Sequence, residues 1–324
     1  MAACNTASRV ESRAPRRGPV VLPAGVSSYF AFETSRVSLF EDGALVSEEA
    51  QVGTGRPIVG AIDLNSAWAV VGYEHKLAFV QLSSHKFTWI SNPLGSALDG
   101  ISIRGETAIL RSGSRALAMR VPAGTPLWNE DLSANLKASD VANLQFAVPQ
   151  DDDNEIVILA TKPSSAWTNG VTKVQRLDRS KGDWRLRNES SLPGFTRVHQ
   201  AASDGEHLYI AGLREETQRS AGGMGRLWQW LVISRISLES LEATELVYSV
   251  RQARETYVSD LVIGVGAVAV LLDGTTVQIY RLIDGGQASA PIFERTYPKV
   301  DSIAWISEEE LVVQTSDGPM SVKY

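Results

Sequence analysis

Ser302-Ile303-Ala304-Trp305-Ile306, Leu311-Val312-Val313, Ser316-Asp317-Gly318 and Met320-Ser321-Val322-Lys323-Tyr324 form two short apolar runs, a turn and a third run of alternating character. The unit before them repeats the plan: Asp260-Leu261-Val262-Ile263, Ala267–Leu272, Asp273-Gly274-Thr275-Thr276 and Val277–Leu282. Short β-branched and aromatic runs bounded by Gly, Asp and Ser read as strands. An Asp-Gly step between them accepts positive φ, closes a tight hairpin and fixes its register.

Working toward the amino terminus, the same hairpin recurs at Trp68–Gly72 with Lys76–Leu82, Thr107–Arg111 with Arg115–Val121, and Glu155–Thr161 with Thr172–Leu177. His207–Gly212 with Leu231–Leu238 and Tyr29–Phe32 with Arg36–Phe40 complete the set. The third strands centre on Val37, Phe79, Ala118, Val174, Ile233, Ile279 and Val322, steps of 42, 39, 56, 59, 46 and 43 residues, which makes seven units. Trp89, Trp128 and Trp184 each follow a third-strand centre by ten residues. One recurring offset predicts one structural slot, a fourth, outer strand on which tryptophan docks a unit against its neighbour.

Four short strands per ~40–45 residues is the signature of a β-propeller, which hides its sheet edges by closing radially. The chain resembles that superfamily. Ser302–Tyr324 and Asp260–Leu282 resemble the core strands of WD40 repeats, and Ala116-Leu117-Ala118-Met119 leading to Gly124-Thr125-Pro126-Leu127-Trp128 resembles the quinoprotein-type (PQQ-like) repeat. No Gly-His or Trp-Asp dipeptide closes a repeat. The expectation is an all-β chain: a basic, disordered tail over residues 1–18 and a single β-propeller domain over 19–324, with seven four-stranded blades, six or eight being the alternatives. Because the last unit ends at a third strand, Pro19–Leu22 is the expected donor of the strand that clasps the ring, to the last blade or the first.

The chain has 324 residues, with Lys+Arg 31 against Asp+Glu 37 and a net charge of −6. That balance disfavours a phosphate-rich nucleic acid partner. No apolar stretch approaches the ~20 residues of a membrane-spanning helix. Cys4 is the single cysteine, so neither an internal disulfide nor a Cys-rich zinc site can be built. Met1-Ala2-Ala3-Cys4 has the shape of a lipoprotein cleavage site without the apolar segment that should precede it, and Arg9, Arg13, Arg16 and Arg17 also fit a transit peptide or a basic arm. The expected location is cytoplasmic, the alternative a cell-envelope lipoprotein whose true start lies upstream.

The repeat is broken where two adjacent units are long, at Lys162–Val171 and Leu213–Arg226, expected as loops on one face. The first contains Trp167; the second contains Arg214, Arg219, Met224 and Arg226 around Gly222-Gly223. Trp beside Arg is the composition of an interface hot spot, which makes these five residues the candidate partner-binding set. Surface insertions also accumulate at small entropic cost, and on sequence alone that blander reading carries more weight. Asp151-Asp152-Asp153-Asn154-Glu155 lacks the spacing of a calcium loop and reads as a solvated turn.

His75, His85, His199 and His207 are scattered, and no HExxH, GxSxG or Walker A pattern occurs. Gly264-Val265-Gly266-Ala267-Val268-Ala269 matches GxGxxA, but Asp273-Gly274 turns the chain before the required helix could form. No catalytic, cofactor or metal residue is therefore nominated. The expectation is a non-catalytic propeller that serves as a protein-interaction platform or assembly scaffold, its partner another protein or complex. Two alternatives stand: an envelope propeller resembling quinoprotein-repeat assembly factors, and an enzyme whose site lies in the central channel, where residues from different blades meet and linear spacing is silent.

Overall fold

Each apolar run of the repeat pairs antiparallel with the next run along the chain, so backbone donors and acceptors are satisfied inside short meanders. The computed structural model describes residues 28–33, 36–41, 44–50, 57–63, 68–137, 143–162, 171–180, 182–192, 195, 197–203, 206–219, 225–251, 256–264, 266–282, 287–307, 309–315 and 318–324. The tail over 1–18, the proposed clasp at 19–22, Trp167 and Met224 lie outside them.

The first sheet holds β1 (Ser28–Glu33), β2 (Arg36–Glu41) and β3 (Ala44–Ala50). The second holds β4 (Pro57–Asp63), β5 (Trp68–Tyr73), β6 (Lys76–Gln81) and β7 (Lys86–Ser91), and the third β8 (Gly100–Arg104), β9 (Thr107–Ser112), β10 (Arg115–Arg120) and β11 (Thr125–Asp131). A single helical turn, α1 (Ser133–Lys137), leads to the fourth: β12 (Asn143–Pro149), β13 (Glu155–Lys162), β14 (Val171–Ser180) and β15 (Asp183–Ser191). The fifth comprises β16 (Arg197–Ser203), β17 (His207–Arg219), β18 (Gly225–Ser237) and β19 (Ala243–Arg251). The sixth comprises β20 (Val258–Gly264), β21 (Ala267–Leu272), β22 (Thr276–Arg281) and β23 (Phe293–Thr296), and the seventh β24 (Val300–Ser307), β25 (Glu310–Thr315) and β26 (Gly318–Lys323).

First strands of successive sheets touch from β4 through β8, β12, β16 and β20 to β24, which places them around a common axis, and β1 lies against β24. The chain is an all-β β-propeller. The count of seven four-stranded blades is corrected: among the described residues five sheets have four strands, and the two at the chain ends have three.

Apolar clusters lie between the sheets. Phe79 and Leu77 of the second sheet pack with Leu110 and Met119 of the third, and Ile109 and Trp128 of the third pack with Ile158 and Leu177 of the fourth. One cluster joins the sixth and seventh sheets to Val71, Tyr73 and Ala78 of the second, so the core continues past the chain ends. Each fully buried large apolar side chain contributes about 1.5–3 kcal/mol.

All three spaced tryptophans fall on fourth strands: Trp89 on β7, Trp128 on β11 and Trp184 on β15. The single slot is corrected: Trp89 stands opposite Ala78, one residue before its third-strand centre, and packs on the cluster shared with the sixth and seventh sheets, whereas Trp128 stands opposite the centre Ala118 and packs toward the fourth sheet. Trp184 stands opposite Arg179 near the turn and packs back toward the third sheet, because β14 runs to ten residues and delays the reversal. Trp128 is buried, its indole N–H donates to the Asp153 carbonyl of the next sheet at 3.1 Å, and its ring meets Trp184 edge-on at 5.0 Å.

Asp151–Asp153 is a turn, as expected, but two of its carboxylates face arginines of the third sheet. Asp151 pairs with Arg104 at 3.0 Å, and Asp153 pairs with Arg120 at 2.5 Å while accepting from the Thr107 hydroxyl. The acidic run fastens one sheet to the next.

Candidate functional site

Within the insertion at Leu213–Arg226, the described residues Leu213–Arg219 and Gly225–Arg226 are strand, not loop. Ladder pairing continues without interruption from His207↔Ser237 to Arg219↔Gly225, giving two strands of 13 residues each. Backbone ladder bonds do not depend on side-chain polarity, so the polarity that suggested a loop does not prevent strand pairing. The flanking strands stop short: β16 pairs only as far as Leu213, and β19 only as far as Gln229. Glu216–Arg219 and Gly225–Trp228 thus continue as a two-stranded arm without a flanking strand among the described residues.

The arm separates the sequence candidates. Arg219 stands opposite Gly225 and Arg226 opposite Gln218, both on the arm itself. Arg214 belongs to its root, opposite Trp230. It pairs with Glu245, which also accepts from the Gln287 amide at 2.9 Å, and its guanidinium lies 5.0 Å from the centroid of Tyr248. Tyr248 in turn stacks on Trp230 at 4.5 Å. Burial works against the Arg214 cation, but the hydrogen bond and charge of Glu245, with a further contribution from Tyr248, raise its pKa overall. Arg214 is therefore a brace for the arm's base.

A second concentration of polar groups, which the linear sequence did not reveal, lies at the axis. Near the start of the first strand a register shift skips Gln145 in β12, His199 in β16 and Ser259 in β20. In the third sheet Gly100 is the register partner of Arg111, while Asp99 N–H also donates to the Arg111 carbonyl at 2.8 Å, so two residues again face one. Bulges re-aim side chains and disrupt simple alternation. Their repetition brings Asp99, Gln145 and His199 from three neighbouring sheets to one pocket of about 140 Å³, with Arg111 and Gln200.

His199 Nδ1 accepts the Val258 N–H at 2.9 Å, and its ring lies 4.6 Å from that of Tyr257, which is exposed. The Gln200 amide donates to the Ser259 carbonyl at 3.1 Å, and that of Gln145 to the Thr161 hydroxyl at 3.2 Å. Arg111 reaches across with one Nη2 bond to the Asp99 carbonyl at 3.0 Å. Its Nη1 contacts are long, 3.4 Å to the carbonyls of Gly113 and Leu144 and 3.6 Å to the Asp99 carboxylate. Its Nε–H is buried without an acceptor. Desolvation lowers the Arg111 pKa, and the Asp99 charge opposes that shift.

Arm and pocket belong to the same end of the propeller. Arg197 at the start of β16 pairs with Leu213, beyond which the arm departs, and Asn143 at the start of β12 pairs with Thr161, just before residues 163–170. The sequence did not reveal the pocket, because a bulge residue shows no distinctive spacing.

No family model matches the chain, and no curated protein matches it. Among solved structures it is similar to the WD40 β-propeller domain of Doa1, at 14% identity and a TM-score of 0.55 over 96% of this chain and 93% of that one. It is also similar to Kluyveromyces lactis Hsv2, at 10% identity and a TM-score of 0.55 over 96% and 98% of the two chains. KlAtg21, solved as a complex with the coiled coil of AgAtg16, gives 11% identity and a TM-score of 0.55 over 92% and 91%. At these identities the likeness establishes the fold alone, a β-propeller.

Proposed function

We propose that this chain is a protein-interaction platform whose partner docks at the end carrying the β17–β18 arm. The observation that carries the reading is the arm itself: backbone pairing runs to Arg219↔Gly225, past both neighbouring strands of its sheet. A ribbon that no described strand flanks can offer backbone donors and acceptors along its edges, which suits recognition of another protein. Trp167, Arg219, Met224 and Arg226 are the contact residues of this reading, and Arg214 holds the arm's base. The KlAtg21 complex shows that a propeller of this architecture can bind a coiled coil. The same reading takes the ring as seven-bladed, with residues 19–22 completing one of the two three-stranded end sheets.

The test is affinity capture from the source cells with three baits: the intact chain, a chain with residues 216–228 replaced by an Asn-Gly turn, and Arg219→Ala/Arg226→Ala. A partner recovered by the first and lost by both folded variants supports the platform. Undiminished recovery by the shortened chain sinks it.

A further inference from the structure

The axial pocket contains a charge without full compensation. The Arg111 side chain is only 13% exposed, yet just one of its Nη hydrogen bonds is of ordinary length, the two from Nη1 to carbonyls being 3.4 Å long, and its Nε–H is sealed against Gly100. A buried guanidinium with incomplete partners is costly, because its hydration is lost and not replaced. Asp99 does not cancel it at close range: the carboxylate lies 3.6 Å from Nη1, is half-exposed at the rim, and is engaged by the Gly113 N–H at 2.6 Å. The remaining polar lining, Gln145, His199 and Gln200, carries amide and imidazole groups, while Ile101, Phe146, Val198 and Ala201 supply apolar wall.

This combination selects a ligand class. A guanidinium beside amides recognises a planar anion with two oxygens, and the apolar wall favours a short hydrocarbon body behind it. The pocket volume, about 140 Å³, is close to that of an engineered cavity of roughly 150 Å³ that accommodates benzene, a ligand of six heavy atoms. We propose that the axial pocket, where the bulges of the third, fourth and fifth sheets converge on Arg111, binds the carboxylate of a short aliphatic acid. The acid is either a free small molecule or the carboxyl terminus of a polypeptide, since both present the same group. This site is independent of the arm and of any partner bound there.

The test uses the full chain labelled with ¹⁵N, titrated separately with butyrate, butyramide, and the tripeptide acetyl-Gly-Gly-Val in its acid and amide forms. Saturable shifts of the Gln145 and Gln200 side-chain amides and of Arg111 Nε–H are expected with butyrate, with affinity at least tenfold weaker for butyramide. Arg111→Gln is expected to weaken butyrate at least tenfold, and Arg111→Lys, which keeps the charge, to weaken it less. If butyrate fails and only the acid form of the tripeptide binds, the carboxylate stands and its source is a chain terminus. Equal binding of acids and amides, or no shifts with any of the four, overturns the proposal on the wild-type chain alone, whatever the variants' folding.

Discussion

Trp128 shows how one side chain can serve two sheets. Its ring fills the seam between the third and fourth sheets while its N–H satisfies the Asp153 carbonyl at 3.1 Å. Truncation leaves both a large cavity and an unmet acceptor, so Trp128→Ala is expected to cost about 3–5 kcal/mol in urea unfolding. A loss below roughly 1 kcal/mol, the usual surface range, would place the ring outside the seam. Gly264 makes the complementary case. A Cβ at this position would approach Trp305 Cε2 to 2.9 Å, and Trp305 is fully buried with its N–H donated to the Val262 carbonyl. A rigid indole cannot yield as the tip of a lysine would. Gly264→Ala is therefore expected to destabilise by about 1–3 kcal/mol, read as a lowered Tm; an unchanged Tm would mean that the indole shifts freely. The glycine-rich resemblance to a dinucleotide motif thus reflects close packing in a hairpin.

At the scale of elements, the hairpins were legible because their turn chemistry is local. Asp273 and Gly274 both adopt positive φ, 54° and 65°, the conformation that an Asp-Gly hairpin turn requires. The hairpins at Trp68, Thr107, Glu155 and His207 likewise begin where apolar alternation places them. The axial site escaped notice for the opposite reason: Gln145 and His199 are extra residues within strands, and a bulge is decided by how two strands twist against each other. The arm escaped because Leu213–Arg226 is polar enough to resemble a loop, while backbone pairing between β17 and β18 is indifferent to that polarity. An isolated two-stranded ribbon is marginally stable at best, so the arm should add little to the fold that bears it. Replacing residues 216–228 by Asn-Gly is expected to change unfolding free energy by less than about 1 kcal/mol, measured by urea denaturation. A larger loss would show that the arm packs on the propeller body, and the arm would then be a structural strap in place of a free binding element.

For the whole molecule the controlling question is closure. A propeller is stable because each sheet buries both faces against neighbours, and a gap at one seam would expose two faces together with an unpaired strand edge. The contact of β1 with β24, and the apolar cluster shared by the sixth, seventh and second sheets, argue for a ring joined through the chain ends. Completing an end sheet then needs one further strand, and Pro19-Val20-Val21-Leu22 is the nearest apolar run before β1. Proline suits the first position of such a strand, where no ladder donor is needed. Two truncations separate a clasp from a bystander. Removing residues 1–18 should leave Tm within about 1 °C, whereas removing residues 1–24 should lower it by more than about 3 °C, because loss of more than ~2 kcal/mol shifts Tm by that order in a chain of this size. If both truncations melt together with the intact chain, residues 19–22 complete no sheet and the ring closes through β1 and β24 alone.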